Sequence, residues 1–176
     1  MPTQRLINAY VLCGGQSRRM GQDKANLTHR GSSYVDHIAQ TLAPLFNAVY
    51  AVGKDSQQIN TRLPIINDLD NDHHPLWGIA SAMSHSQYSD VFIIPCDIIQ
   101  IQEKAVRTLL NENRACYAIS QTQEQPLLGL YPVDWFQHTV KHAEQNKSVY
   151  KWSTKAARIP IDASNLTNVN HPWEAP

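Results

Sequence analysis

The run Leu6-Ile7-Asn8-Ala9-Tyr10-Val11-Leu12 passes almost at once into the pair Gly14-Gly15, and this junction constrains the fold more than any other stretch. An apolar run of this length, rich in aromatic and β-branched residues, predicts a buried first strand. Adjacent glycines leaving a strand can take positive φ and bring backbone N–H groups close to a ligand with no Cβ in the way. Arg18, Arg19 and Lys24 follow closely. Fixed cations beside such a loop offset the charge of a bound polyphosphate, so the stretch reads as a phosphate cradle. The plainer alternative is a glycine turn flanked by solvated arginines.

Two better-known glycine loops do not fit. A P-loop needs G-x-x-x-x-G-K-[ST], whereas Gly15 and Gly21 are spaced too widely and Lys24 precedes Ala25. The dinucleotide fingerprint G-x-G-x-x-G fails because Gly14 and Gly15 are adjacent and the next glycine is Gly21.

Downstream, strands and helices alternate. Tyr34, Ile38 and Leu42 recur at helical spacing after Ser32 and Ser33, either of which can cap the helix, and a short turn at 27–31 precedes it. Residues 48–52, closed by Gly53, and 63–66, ending at Asn67-Asp68, read as strands. A helix starts at Pro75, where a missing N–H is tolerated. The continuous apolar run of residues 90–97 predicts a central strand covered on both faces. Residues 103–113 form an amphipathic helix with Val106, Leu109 and Leu110 inward, 115–119 and 127–131 read as strands around a polar turn at 120–125, and 133–146 as a helix. The pattern predicts an α/β fold: one domain over residues 1–176, doubly wound, with a mainly parallel sheet and right-handed crossovers.

Bulk properties narrow the function classes. At 176 residues and 42% hydrophobic, the chain can bury a core without staples. Equal numbers of acidic and basic residues, 15 each, offer no global field for nucleic acid or anionic membrane. Cys13, Cys96 and Cys116 lack metal-site spacing and cannot all pair, so reduced thiols in a cytoplasmic protein are expected. Neither a signal peptide nor an apolar span of membrane length is read, and a soluble monomer is the expectation.

Two acidic positions carry chemistry. The strand at 90–97 delivers Asp97 to its carboxyl end, where open α/β sheets bind ligands and where a carboxylate suits Mg²⁺. The competing role is capping of a following helix. The stretch 68–74, D-L-D-N-D-H-H, resembles a metal site only superficially. An EF-hand would need glycine and glutamate where His73 and Ile79 stand, and two adjacent histidines lack further ligands at metal spacing.

The pattern L-x-G-G-x-S-x-R-M-G-x-D-K, met by Leu12, Gly14, Gly15, Ser17, Arg19, Met20, Gly21, Asp23 and Lys24, resembles the molybdenum cofactor guanylyltransferases. These are Rossmann-like nucleotidyltransferases, whose cytidylyl relatives usually carry L-A-A-G. The resemblance continues through P-L-x-G at 75–78, with His74 where the family commonly has glycine, and through P-C-D at 95–97. It extends to Gln125-Pro126-Leu127 at a substrate-side loop, and to an N-V-N segment at 168–170 that departs at His171 and Trp173.

It implies transfer of GMP from GTP to the phosphate of molybdopterin, releasing pyrophosphate. Leu12, Cys13, Gly14, Gly15, Lys24, Asp68, Gly78 and Asp97 would bind GTP; Arg19, Lys24 and Asp97 would be catalytic, with Asp97 on Mg²⁺. Asn168, Asn170, Lys151 and Lys155 would bind the acceptor, the last two within a basic stretch that also holds Lys147, Arg158, Tyr150 and Trp152 and that equally reads as a solvated face. Transient contact with cofactor-delivering proteins is part of the same expectation. The family's asparagine at the end of the second strand stands here as Ala51. A cytidylyl or sugar-phosphate nucleotidyltransferase and a silent nucleotide-binding protein are the alternatives. Lys24→Ala should weaken GTP binding by about 1.5–3 kcal/mol through loss of a charge-assisted phosphate contact. Unchanged kcat/KM for GTP in that variant would remove Lys24 from the site.

Overall fold

Asn8–Leu12 form β1, and all five side chains are buried. Ala9 and Val11 enter one apolar core while Tyr10 and Leu12 enter another, as the two-residue period of a strand requires. A strand buried on both faces needs cover on both. The computed structural model, which describes residues 6–14, 28–29, 31–54, 59–121 and 123–168, supplies it with helices on either side.

In chain order, β1 is followed by β2 (Thr28–His29), β3 (Ser32–Ser33), α1 (Tyr34–Leu42), β4 (Val49–Gly53), β5 (Ile65–Asn67) and α2 (Pro75–His85). Then come β6 (Asp90–Pro95), β7 (Ile98–Ile101), α3 (Glu103–Leu110), β8 (Cys116–Ser120), β9 (Gln123–Pro132), α4 (Phe136–Glu144), α5 (Val149–Trp152), β10 (Ala157–Pro160) and β11 (Leu166–Asn168). The main sheet has seven strands in the order β10-β8-β9-β6-β1-β4-β5. β5, β4, β1 and β6 run parallel to one another, β8 and β10 pair in parallel, and β9 runs antiparallel to both its neighbours. Val35, Ile38 and Leu42 of α1 and Val106 and Leu109 of α3 seal one face. Leu76, Ile79 and Met83 of α2, Ala143 of α4 and Trp152 of α5 seal the other. The mainly parallel, doubly wound expectation holds.

Local chemistry explains the boundaries. Ser33 accepts a hydrogen bond from Asp36 N at 3.1 Å and caps α1. Pro75 opens α2, and the preceding His74 caps it by accepting at Nδ1 from Leu76 N at 3.2 Å. The residue that departs from the family's glycine therefore has a structural task.

Four readings are corrected. The polar turn expected at 120–125 shrinks, because β8 and β9 pair as far as Ser120 and Gln123, with Gln121 at φ 54° in the turn. Gln125-Pro126-Leu127 consequently lies within β9 and not in a loop. The ladder shifts between Tyr117 and Ala118, opposite this proline, which has no N–H to give a regular ladder. Trp152 takes no part in an interleaved aromatic cradle, although Tyr150 is exposed: Trp152 is buried, donates from Nε1 to Thr139 Oγ1 at 3.0 Å, and stacks obliquely on Tyr131. Lastly, the capping role for Asp97 fails, since β7 follows it and Gln102 precedes α3. Strands β2, β3, β7, β10 and β11 were not foreseen.

Where β8 and β9 cross, Gly129 allows close approach: a Cβ there would lie 2.2 Å from Cys116 O and 3.0 Å from Tyr117 Cα. Gly129→Ala should destabilise the protein by about 3 kcal/mol, the upper range for overpacking, because backbone must move. Urea unfolding midpoints check this; a wild-type midpoint would mean that the strands separate freely.

Candidate active site

Four strand ends meet at one rim of the sheet, and the hydrogen-bond ladder carries past them. Cys13 N donates to Val52 O at 2.8 Å, Asp68 N to Gly53 O at 3.1 Å, and Cys96 N to Leu12 O at 3.1 Å. The rungs place Gly14, Lys54, Asp68 and Asp97 just beyond the sheet at the carboxyl ends of β1, β4, β5 and β6, and the start of α2 packs against the same rim. Open α/β sheets take their ligands at this edge.

Asp68 lies between two glycines. A Cβ at Gly14 would sit 3.3 Å from Asp68 Oδ2, and one at Gly78 would sit 3.5 Å from Oδ1 and 3.1 Å from Leu12 Cδ2. The missing side chains leave both carboxylate oxygens room on the side of β1 and α2. Oδ1 is buried and has no hydrogen-bond partner. Burial raises the Asp68 carboxyl to about 6, and the nearby charge of Lys54 opposes that rise. Buried polar groups are ordinarily hydrogen-bonded, so an ionisable acceptor without a partner among the described residues makes Asp68 a candidate for a ligand donor.

The loop from Asp68 to α2 is fixed by residues with no sequence signature. Leu69 N donates to Ser81 Oγ at 2.8 Å, and that hydroxyl donates to Trp77 O at 2.7 Å, which fastens the loop to α2. Lys54 Nζ donates to the carbonyl of Asn71. The acids that could suggest a metal site instead shape the turn: Asp70 Oδ1 accepts from Asp72 N at 2.8 Å and Asp72 Oδ1 from His73 N at 2.7 Å. Among the described residues no group of three His, Cys, Asp or Glu side chains could hold a metal ion.

Of the residues read from sequence, Leu12, Gly14, Asp68 and Gly78 converge in one contact set, with Cys13 beside it on β1. Asp97 stands in the turn after β6, next to the end of β1. Asn168 ends β11 and pairs with Ile98, so its backbone lies one residue from Asp97. Lys151 and Lys155 are exposed on α5 and the turn after it. Gly15, Arg19, Lys24 and Asn170 lie outside the described residues. Ala51 is fully buried in the α1-side core, two residues short of the strand end; the first residue beyond the strand, Lys54, is half-buried at the rim.

The donor set suits magnesium better than zinc. Two carboxylates at the sheet edge, Asp68 and Asp97, with no cluster of three ligands among the described residues, match a cation that takes most of its oxygens from phosphate and water.

The profile of MobA-like NTP transferase domains matches residues 9–159. A Bacillus cereus protein named as a probable molybdenum cofactor guanylyltransferase is 30% identical over 171 residues, covering 92% of this chain and 80% of that protein. A Flavobacterium johnsoniae protein of the same name is 28% identical over 129 residues, covering 71% and 68%. In fold, the chain is similar to the crystal structure of molybdopterin-guanine dinucleotide biosynthesis protein A from Archaeoglobus fulgidus, with a TM-score of 0.76 at 17% identity over 96% of this chain and 94% of that one.

The raised Asp68 carboxyl has a definite sign. Its charged form is disfavoured on folding, so nucleotide-free protein should lose stability as the pH rises from the ordinary 3.8 to about 6 and stay at the lower level above that. Asp68→Asn removes the charge. Allowing for its remaining contact with solvent, the variant should exceed wild type by about 1–2 kcal/mol at pH 8 and match it below pH 4. Urea unfolding at both pH values checks this; a wild type that gains stability over the variant at pH 8 would mean that Asp68 has a partner.

Proposed function

The chain belongs to the family of MobA-like NTP transferase domains, and from that premise we propose that it transfers GMP from GTP to the phosphate of molybdopterin. The reading extends to the whole chain as one such domain, monomeric and cytoplasmic, where Cys13, Cys96 and Cys116 would stay reduced; all three are buried and none is in a disulfide. The observation that carries the base choice is the unpartnered Asp68 Oδ1 beside Gly14 and Gly78. A carboxylate there accepts from the N1–H and exocyclic amine of guanine, or from a ribose hydroxyl. Cytosine offers no such paired donors, and a site left with an unpaired buried acceptor discriminates strongly.

In the reaction, a phosphate oxygen of the acceptor attacks the α-phosphorus of GTP, the bond from that phosphorus to the α,β-bridging oxygen breaks, and pyrophosphate leaves with the electron pair. The nucleophile is already anionic, so a strong general base is unnecessary and alignment plus charge stabilisation remain. The backbone of Gly14-Gly15 cradles the phosphates, and Arg19 and Lys24 offset charge gathering on the pyrophosphate. Asp97 would hold Mg²⁺, which would supply charge neutralisation to the triphosphate. Asn168 and Asn170 hold the acceptor, Asn168 from the Asp97 side of the rim. Support for this comes from the β7–β11 pairing, which brings the backbone of Asn168 beside Ile98. The reading does not depend on an asparagine at 51, because that side chain is sealed in the core.

Pyrophosphate release with GTP or CTP, with and without molybdopterin, tests the assignment. GTP with molybdopterin should be the productive pair in wild type. Asp97→Asn, which keeps shape and loses charge, should fold with an unchanged unfolding midpoint and lose nearly all turnover. Preference for CTP, or an active Asp97→Asn enzyme with unaltered Mg²⁺ dependence, would overturn it.

A further inference from the structure

β4 stops at Gly53, and Lys54 is the first residue beyond it, half-buried. The loop it meets runs from Asp68 to His74 and is anchored at both ends. At its start Asp68 N and Leu69 N bond to Gly53 O and Ser81 Oγ; at its end His74 caps α2. The middle is exposed, and Asp70, Asp72 and His73 bond only to one another there among the described contacts. Lys54 reaches this middle by donating from Nζ to Asn71 O. It does not bond Asp68 Oδ1, which has no partner, yet its charge acts on that carboxylate through space.

We infer that Lys54 is a positioning residue for base recognition: it straps the 68–74 loop to the end of β4 and sets a positive charge beside Asp68 without occupying the oxygen that a ligand needs. The inference rests on the reading of Asp68 as the base acceptor. A direct Lys54–Asp68 ion pair would satisfy the carboxylate and close the slot. Directed instead to a backbone carbonyl, the ammonium keeps its charge near and leaves Oδ1 open. The other titratable groups on the elements around Asp68 are Tyr10 on β1 and Cys13 at its end, Tyr50 on β4, and Asp70, Asp72, His73 and His74 from its own loop, while α2 carries His85 in its last turn. Burial opposes the ionisation of Asp68, and Lys54 is the charge that favours it among the described residues.

The test pairs Lys54→Met with Lys54→Arg and reads three quantities: the Asp68 carboxyl titration by ¹³C NMR without nucleotide, amide hydrogen exchange at residues 69–73, and GTP affinity from pH 5 to 8. In Lys54→Met the Asp68 midpoint should rise by about one unit, exchange in the loop should quicken, and GTP binding should fail at acid pH and recover by pH 8. Lys54→Arg should restore all three. An Asp68 midpoint that stays in place in Lys54→Met, or an arginine variant that behaves like the methionine one, overturns the role of Lys54 and leaves that of Asp68 intact. A midpoint that moves while GTP affinity stays flat with pH, and equal in Asp68→Asn, overturns the reading of Asp68 and the positioning role with it.

Discussion

The burial of β1 on both faces pushes the polar chemistry of this fold to the rim. Flanked by β4 and β6 and covered by α1 on one side and α2 on the other, the strand has no surface on which to present a polar side chain. Its backbone groups are taken up by the ladder, which ends with the bonds of Cys13, Asp68 and Cys96 to neighbouring strands. Beyond those rungs the chain is free to turn its N–H groups and acids toward a ligand. Gly14, Lys54, Asp68 and Asp97 all sit there because parallel strands end on the same edge.

The rim carries a built-in opposition between folding and binding. Asp68 is desolvated without a hydrogen-bond partner at Oδ1, an arrangement that disfavours its charged form and that a larger residue at Gly14 or Gly78 would crowd. The surroundings oppose relaxation. Ser81 ties the adjacent Leu69 to α2, Gly53 O holds Asp68 N, and Lys54 ties the loop farther on. A donor-bearing ligand would release what the folded chain stores, which is how a carboxylate gains selectivity from its own desolvation.

The sequence spoke most clearly where local chemistry decides. The strand at Asn8–Leu12, the cap at Ser33, the proline at the start of α2 and the central strand that leads to Asp97 each follow from residue type and period. It misled where a long-range contact outweighs the local signal. Pro126 reads as loop, yet the pairing of β9 with β6 and β8 absorbs it at a register shift. Trp152, set among lysines, reads as an exposed ligand platform, but it fills the space between Tyr131 and Trp135 against α4. The roles of Lys54 and Ser81 had no signal at all, since a lysine after a strand and a serine in a helix are ordinary residues until the loop they hold is seen.

The sequence by itself determined the fold class, the order of the principal strands and helices through α4 apart from β2, β3 and β7, and the glycine loop with acids at the ends of later strands, because periodicity, caps and glycine pairs act over a few residues. Tertiary structure alone decided that Asp68 faces Gly14 and Gly78, that Asn168 comes to lie beside Asp97, and that Ala51 is sealed away from the rim. Those outcomes depend on strand register and on how closely β1 approaches α2. Both are settled by packing between segments far apart in the chain, where no local pattern can record them.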